Sequence, residues 1–378
     1  MTLVAIPNEA STTDQRTAMS PANIARLVRS GVEVLVEEGL GVGCGFSDDQ
    51  YREAGARTTG DHKKIFTAAD VVMRIHKPTL EEVKLIRSGA VHISHLDPFN
   101  EQQLITNLKE REITAISMEM IPRTTRAQKM DALSSQASLA GYVMVLLAAN
   151  RLNRILPMMM TPSGTIKPAK VFIIGAGVAG LQAIATAKRL GARVTAFDTR
   201  AVVAEQVKSL GATFLNIDLG ETGQTEDGYA KQLTDEQLRI QHQVQADEIA
   251  KSDIVITTAQ VFGRKPPRLV SLEAVRRMQP GSVIVDMAAT TGGNVEGSIA
   301  GEEVDVDGVV IIGSGNWSGQ VCRDASNMYS NNLTNLFSEY WNDDRQLFEI
   351  NMQDDILSGC VITHEGEICN ETIRNHYS

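Results

Sequence analysis

The chain has 378 residues, of which 43% are hydrophobic and 22% are charged, and its formal net charge is −10. This length suits two domains, each with its own core, and the composition is ordinary for a soluble globular protein. The acidic balance, and the lack of a basic run interleaved with aromatic residues, argue against a nucleic-acid partner. The four cysteines are scattered without metal-ligand spacing, so we expect no metal site and reduced thiols in a cytosol-like compartment.

The first third of the chain alternates predicted strands with predicted helices. Short apolar runs predict strands at residues 3–6, 32–36, 71–75, 91–94 and 113–118. Capping residues predict helices that begin after Ser20, Thr79 and Asn100, and a short helix is expected after Ser47-Asp48-Asp49. Strands that alternate with helices at this spacing indicate a parallel, doubly wound sheet.

A polar stretch, residues 122–131, follows the last predicted strand of this series. Ligands of open α/β domains usually bind at this edge of a sheet. Two interpretations stay open from the residues alone. In the first, three basic side chains are solvated charges and one short polar side chain caps the next helix. The residues concerned are Arg123, Arg126 and Lys129, and Asp131 or Ser134. In the second, the same residues bind a ligand.

No apolar stretch approaches the length needed to cross a bilayer. The richest, residues 142–149, is interrupted by Asn150 and Arg151. We therefore expect no direct insertion of this chain into a membrane.

The segment that follows residue 170 has the pattern of a nucleotide-binding Rossmann turn. The apolar run 171–174 stops at glycine, and helical spacing then continues to Leu190. Gly175 would permit the tight turn, Gly177 would let backbone N–H groups approach a pyrophosphate, and Gly180 would remove a side chain where helix and strand pack. The ordered context makes a dinucleotide site the favoured interpretation.

Asp198 ends the next predicted strand, residues 193–197. A carboxylate there can accept both hydroxyls of an adenosine ribose and would repel a 2′-phosphate, which favours NAD(H) over NADP(H). Arg200 could still pair with such a phosphate.

The remaining chain completes two α/β domains. Further parallel strands are expected at residues 254–257, 282–286 and 309–312, with a helix at 272–278, and a hairpin around Pro162-Ser163-Gly164. A long helix near the C-terminus, with Tyr329 and Leu333 on its apolar face, is expected to return to the first domain. We therefore predict two doubly wound, Rossmann-like domains with a cleft between them, one made of residues 1–133 plus 322–378 and the other of residues 134–321.

Several motifs together make the sequence recognisable. They are Pro-Arg-x-x-Arg-Ala-Gln-x-Met-Asp-x-Leu-Ser-Ser-Gln from Pro122, Leu-Ala-Gly-Tyr from Leu139, Met158-Met159-Met160-Thr161, residues 175–190, Gly228-Tyr229-Ala230-Lys231, Thr257-Thr258-Ala259, residues 280–284 and Ser358-Gly359-Cys360-Val361. Nearly end to end, the chain resembles the NAD(H)-binding component, domain I or alpha subunit, of proton-translocating nicotinamide nucleotide transhydrogenase. That family lies within the alanine dehydrogenase superfamily.

The resemblance implies the residues of the site. The loop that holds the nicotinamide half of NAD(H) would be formed by Arg123, Thr124, Thr125, Arg126, Gln128, Asp131 and Ser134, with Arg123, Gln128, Asp131 and Ser134 acting in catalysis. The pyrophosphate turn and the adenosine-ribose segment would comprise Gly175, Gly177, Val178, Gly180, Asp198, Thr199 and Arg200. Gly228 and Tyr229 match a mobile loop over the cofactor, although Tyr229 could instead be an exposed aromatic. Further contacts would come from Gln241, Thr258, Ala259 and Gln260.

The resemblance also implies the chemistry and the partners. Hydride would pass directly between NAD(H) on this chain and NADP(H) on a partner component, with Gln128 reaching toward the second nucleotide. No general base is required, because both donor and acceptor are cofactors. Membrane-spanning subunits would couple the reaction to proton translocation, and the hairpin would join two chains as a homodimer. The chain is then expected on the cytoplasmic side, soluble or peripherally attached through these partners.

Two other functions stay open. An alanine dehydrogenase-like enzyme would use Arg16 for the substrate carboxylate and His95 as its catalytic histidine. However, His76 stands where that family has a lysine, and Thr290 stands where it has a catalytic aspartate. A non-catalytic NAD(H)-binding module would carry the same binding residues.

Overall fold

The computed structural model describes residues 2–217, 234–260 and 262–378. The chain divides into two compact units, the first made of Met1–Gln136 and Val321–Ser378 and the second of Ala137–Gln320. Each unit contains one large sheet, so the predicted α/β class with two sheet-based domains is confirmed.

The amino-terminal part of the first unit alternates strands and helices as expected. Its strands are β1 (Leu3–Ile6), β2 (Glu33–Glu37), β3 (Arg57–Thr59), β4 (Val71–Met73), β5 (Val91–Ser94) and β6 (Thr114–Ser117). Its helices are α1 (Pro21–Arg29), α2 (Asp48–Glu53), α3 (His62–Ala68), α4 (Leu80–Leu85) and α5 (Gln102–Glu110). Thr79 caps α4 in a capping box, as predicted. Asn100 does not cap α5, because Glu101 takes that position and the Asn100 amide donates to Asp97.

Helix α6 (Ala132–Arg151) is followed by the predicted hairpin, formed by β7 (Met159–Thr161) and β8 (Gly164–Ile166). By length and composition, α6 is apolar enough to cross a bilayer, with a mean hydropathy of 1.5. The sequence does not predict a membrane span here, because polar residues interrupt the apolar runs along this helix. A single helix of this kind among the described residues is weak evidence for a membrane span, because core helices of soluble proteins can have the same length and composition.

The second unit contains the other large sheet. Its strands are β9 (Lys170–Ile174), β10 (Arg193–Phe197), β11 (Thr213–Phe214), β12 (Ile254–Thr257), β13 (Val283–Asp286), β14 (Glu303–Val306) and β15 (Val309–Ile312). Its helices are α7 (Val178–Arg189), α8 (Ala204–Ser209), α9 (Asp235–Ile249) and α10 (Leu272–Arg276). The strand order is β11-β10-β9-β12-β13-β15-β14, parallel except for β14. The order reverses beside β9, and such switch points are where open α/β sheets bind ligands.

The C-terminal segment belongs to the first unit. It comprises α11 (Cys322–Glu339), β16 (Trp341–Asn342), β17 (Leu347–Phe348), α12 (Asp355–Cys360), β18 (Val361–His364), β19 (Glu367–Ile368) and α13 (Glu371–Tyr377). β18 pairs antiparallel with β6 and extends the first sheet to the order β19-β18-β6-β5-β4-β1-β2-β3.

Each central strand is covered on both faces, which explains the continuous apolar runs. In β9, Val171 and Ile173 pack into one hydrophobic cluster, whereas Phe172 and Ile174 pack into another. The side chains alternate because successive residues of a strand point to opposite faces. The carboxyl end of β9 is therefore held firmly, and the turn that follows it has a defined position within the unit.

Candidate functional site

The turn between β9 and α7 leaves open space in front of a helix N-terminus. Gly175 has a φ of +101°, and a Cβ there would lie 2.5 Å from Thr258 Oγ1. A Cβ on Gly180 would overlap the carbonyl oxygen of Gly175. By contrast, a Cβ on Gly177 would meet no atom of the described residues within 4 Å, and no described side chain caps the helix. Since the first N–H groups of a helix lack intrahelical partners, this turn fits an anionic group such as a pyrophosphate.

Asp198 lies at the end of β10, beside the same turn. Its Oδ2 accepts a hydrogen bond from the backbone N–H of Ala176 at 2.8 Å. The Arg200 guanidinium pairs with both carboxylate oxygens, with Nε 2.9 Å from Oδ1 and the terminal nitrogen 2.9 Å from Oδ2. Only 7% of the Asp198 side chain is exposed. The carboxylate is therefore at the predicted place but already paired, so a ribose would have to share it with Arg200 or displace Arg200.

The loop after β12 packs behind the glycine turn. Thr258 donates from its backbone N–H to the Ile174 carbonyl at 2.9 Å and from Oγ1 to the Gly175 carbonyl at 3.0 Å. Ala259 is half-buried, and its carbonyl accepts from Asn294 Nδ2 at 2.9 Å. Gln260, the next residue of the loop, is exposed.

Two buried residues that sequence reasoning missed hold this loop. The Asp286 carboxylate accepts backbone hydrogen bonds from Ala288, Asn294 and Val295, each at 3.1 Å. Asn294 in turn donates to the carbonyls of Ala259 and Pro267. The sequence signal for Asp286 is an apolar run that ends in aspartate, because an aspartate in that position lies at the carboxyl edge of the sheet.

The other predicted residues of the second unit have different settings. Val178, the first residue of α7, is 45% exposed, and Thr199 is half-buried. Gln241 is 2% exposed, and within the described residues its Oε1 has no hydrogen-bond partner. Gly228 and Tyr229 lie outside the described residues.

In the first unit, Asp131 caps α6. Its Oδ1 accepts from the Ser134 backbone N–H at 2.8 Å, and its Oδ2 accepts from Ser134 Oγ at 2.6 Å. The cap interpretation is therefore confirmed for Asp131. The preceding predicted residues are all exposed, namely Arg123, Thr124, Thr125, Arg126 and Gln128.

Two basic residues of this loop form ion pairs within the first unit. Arg126 lies 2.5 Å from Asp354 and 2.7 Å from Asp355, and Lys129 lies 2.6 Å from Glu339. Burial alone would raise the pKa of Asp354, but hydrogen bonds from Arg126 and Tyr340 lower it to about 2. These two side chains therefore anchor the loop to the C-terminal segment.

Helix α11 fixes the backbone of the same loop. The amides of Asn332 and Asn335 donate to the Lys129 carbonyl at 3.1 and 3.0 Å. Ser135 Oγ donates to Asn332 Oδ1 at 2.7 Å. The loop that carries Gln128 and Asp131 is thus positioned by a helix from the far end of the sequence.

Arg16 and His76, which lie at the positions relevant to an amino-acid substrate, both contact the Asp14 carboxylate. Arg16 Nε lies 3.0 Å from Asp14 Oδ1, and a terminal nitrogen lies 2.9 Å from Gln136 Oε1. His76 Nε2 lies 3.1 Å from Asp14 Oδ2. Burial would raise the pKa of Asp14, but hydrogen bonds from His76 and Arg16 hold it well below its usual value. Arg16 therefore already has a carboxylate partner within the chain.

His95 follows β5 and contacts the buried Glu119, with its Nδ1 3.5 Å from Oε2. Burial would raise the pKa of Glu119, but the hydrogen bonds and charge of His95, with hydrogen bonds from Ser117 and the Asp97 backbone, lower it. His95 is therefore engaged by a carboxylate of its own chain. Across the described residues, no group of three or more His, Cys, Asp or Glu side chains could hold a metal ion.

Two family models match the chain. The model described as Alanine dehydrogenase/PNT, N-terminal domain, matches residues 5–140. The model described as Alanine dehydrogenase/PNT, C-terminal domain, matches residues 144–371. Together the two matches cover most of both units.

Individual relatives divide between two activities. The chain is 42% identical to an NAD(P) transhydrogenase subunit alpha protein of Rhodospirillum rubrum, over 98% of both chains. It superposes on the crystal structure of transhydrogenase from Sinorhizobium meliloti with a TM-score of 0.87 and 42% identity, over 97% of this chain and 99% of that one. It is 30% identical to alanine dehydrogenase of Bacillus subtilis, over 78% of this chain and 72% of that protein. The similarity to the two transhydrogenase proteins is higher and more complete.

Proposed function

The chain belongs to the alanine dehydrogenase/PNT family, and on that premise we propose that it is the NAD(H)-binding component of a nicotinamide nucleotide transhydrogenase. The observation that carries the proposal is the end-to-end similarity to a protein named as a transhydrogenase subunit, which spans both units. The open turn at Gly177 supports it, because a dinucleotide needs a helix N-terminus that its pyrophosphate can approach.

In this proposal the second unit binds the adenosine and pyrophosphate end of NAD(H). The backbone N–H groups at the start of α7 bind the pyrophosphate, and Asp198 accepts the ribose hydroxyls. Arg200 keeps the carboxylate in place until the ribose arrives. The full set is Gly175, Gly177, Val178, Gly180, Asp198, Thr199, Arg200, Gly228, Tyr229, Gln241, Thr258, Ala259 and Gln260.

The first unit is proposed to orient the nicotinamide end. NAD(H) itself supplies the hydride chemistry, so the protein needs to fix the ring, exclude water and hold the charge distribution around it. Arg123 stabilises the carboxamide region, assisted by Thr124, Thr125 and Arg126. The pair formed by Asp131 and Ser134 offers hydrogen bonds from a rigid helix start. Gln128 is exposed, as a residue that reaches toward a second nucleotide must be.

The finer parts of the proposal concern partners. NADP(H) binds to a separate component, and membrane-spanning subunits couple hydride transfer to proton translocation. The chain lies on the cytoplasmic side of the membrane, soluble or peripherally attached through the membrane-spanning subunits. A homodimer is supported by the hairpin β7–β8, where Met158, Met159 and Met160 are 61%, 44% and 72% exposed. Apolar side chains exposed together in this way are typical of protein interfaces.

Mixing the purified chain with an NADP(H)-binding transhydrogenase component tests the proposal. Hydride exchange between a nicotinamide analogue and NADP(H) is expected only when both proteins are present. Oxidation of L-alanine by the chain alone would favour the amino-acid dehydrogenase instead. That result is not expected, because His76 and Thr290 stand where the alanine dehydrogenase family has a lysine and a catalytic aspartate. Binding of NADH without either reaction would favour a binding module.

Two substitutions are expected to separate ring positioning from cofactor affinity. Asp131→Asn keeps a good N-cap residue but removes the carboxylate charge, so we expect hydride transfer to slow by about 10–100-fold with stability preserved. Asp198→Ala should weaken NADH binding by about 10–100-fold, since a charged hydrogen-bond partner is lost. NADH titration and transfer rates at saturating NADH measure the two effects. Equal losses of both properties in both variants would contradict these roles.

A further inference from the structure

Two cysteines that are far apart in sequence are close together in the first unit. Cys44 ends the 3-10 turn Val42–Cys44, and Cys322 is the first residue of α11. Cys322 Sγ donates to the Gly43 carbonyl at 3.2 Å, although the two residues are 279 positions apart. Cys44 Sγ lies 3.1 Å from the hydroxyl of Ser326, one helical turn beyond Cys322. Each thiol therefore contacts a close neighbour of the other cysteine.

The two thiols differ in their access to solvent. Cys44 is 3% exposed, whereas Cys322 is half-buried. Burial, together with the charge of the nearby Cys322, raises the pKa of Cys44 to about 11. Cys44 is thus a protonated thiol that a dissolved oxidant reaches poorly. Cys322 is the thiol of this pair that an oxidant meets first.

We propose that Cys44 and Cys322 are a redox-sensitive pair that forms a disulfide when the protein meets a peroxide. The Cys322 sulfur attacks one peroxide oxygen, which gives a sulfenic acid and releases the other oxygen as water or an alcohol. The Cys44 thiol gives up its proton as its sulfur attacks the sulfenic sulfur, the S–S bond forms, the S–O bond breaks, and the hydroxyl leaves with that proton as water. The two sulfurs lose two electrons in total, the peroxide gains them, and both thiol protons end in the released products.

The crosslink would join the two chain segments of the first unit. Residues Met1–Gln136 and Val321–Ser378 are separated in sequence by the whole second unit. A covalent bond between these segments restricts the unfolded chain, which stabilises the folded unit if the native geometry is kept. Helix α11 also accepts a hydrogen bond from Gln136 Nε2 at the Ala325 carbonyl, so the bond would tighten a helix that holds the loop around Asp131.

Hydrogen peroxide treatment of the reduced, full-length chain tests the proposal. The intact mass is expected to fall by two hydrogen atoms, and alkylation should label two cysteines instead of four. Proteolysis without reductant should yield one linked peptide that contains Cys44 and Cys322. The midpoint of thermal unfolding should rise by roughly 5 °C, and reductant should reverse all three changes.

Single variants supply the controls. Cys44→Ser and Cys322→Ser, checked by circular dichroism for folding, should each abolish the linked peptide and the rise in the midpoint. Cys369→Ser is the matched control, because Cys369 is also half-buried but contacts the His364 carbonyl, and it should leave both readouts unchanged. A linked peptide that contains Cys360 or Cys369, or overoxidation of Cys322 without a crosslink, would overturn the proposal.

Discussion

Gly180→Ala is expected to destabilise the second unit, whereas Gly177→Ala is expected to weaken cofactor binding and leave the fold intact. A Cβ on Gly180 would overlap the Gly175 carbonyl oxygen and lie 3.2 Å from Thr258 Oγ1. Because β9 and α7 are both packed, neither can move away without a cost, and we expect a loss of about 2–3 kcal/mol. Gly177 has a φ of −78° and open space around its Cβ position. Alanine there should change stability by less than about 0.5 kcal/mol.

The same methyl group at position 177 would occupy the space that the pyrophosphate needs. We therefore expect NADH affinity to fall by about 100-fold in Gly177→Ala, which corresponds to about 2.7 kcal/mol. Denaturant unfolding and NADH titration, applied to both variants, separate the two effects. Gly164→Ala is a control for alanine at a glycine whose Cβ position is also open, although its φ of +133° adds local strain. Wild-type NADH affinity in Gly177→Ala would show that the turn does not bind the pyrophosphate.

The strands that can be predicted from the sequence are the buried ones, because burial requires apolar residues. The strands β1, β9 and β12 consist mainly of apolar residues because helices cover both faces of each sheet. The sequence does not predict the edge or near-edge strands β3, β11, β14, β18 and β19. Arg57–Thr59 and Glu303–Val306 contain no fully buried residue, so their side chains carry little strand signal. They are strands because a neighbouring strand offers them backbone hydrogen bonds, which the local sequence does not encode.

The candidate site also combines local features that the sequence predicts with long-range contacts that it does not predict. The glycine turn and the Asp131 cap are local, since each depends on residues within a few positions, and the sequence pattern predicts both. The contacts that hold those local features are long-range. Asn332 donates to the Lys129 carbonyl from 203 positions away, and Asn294 donates to Ala259 from 35 positions away. An asparagine in a helix or a loop carries no sequence signal for such a partner.

The first sheet contains a buried charge cluster near its own switch point, between β1 and β4. Arg74 follows β4, is 6% exposed, and lies 2.9 Å from Glu9 and 3.1 Å from Glu82. Glu9 also accepts the backbone N–H groups of Ile75 and His76. The Arg74 carbonyl accepts a hydrogen bond from the Tyr329 hydroxyl at 2.9 Å. The cluster therefore links the amino-terminal strands to α11.

Arg74→Met is expected to cost the first unit about 3–5 kcal/mol, because it leaves two carboxylates in a buried site without their cation. The matched control is Arg52→Met, since Arg52 also pairs with two carboxylates, from Glu38 and Asp49, but is 47% exposed. Exposed pairs contribute at most about 1 kcal/mol. Hydrogen exchange of peptides that cover β1 and β4 reports the stability of this unit separately from that of the second.

The pH dependence gives a second test of the same cluster. Burial would raise the pKa of Glu82, but the charge of Arg74, with hydrogen bonds from Thr79 and Arg74, lowers it. In the wild-type protein this carboxylate therefore stabilises the fold above its unfolded pKa, and the contribution is lost as the pH falls through its folded pKa. In the Arg74→Met variant this stabilising contribution is absent. As the pH falls, protonation of Glu82 in the variant relieves its repulsion with Glu9. The stability difference between wild type and variant should narrow as the pH falls from about 8 to about 5. A difference that stays constant with pH, or that is no larger than for Arg52→Met, would show that the cluster does not act as a buried ion network.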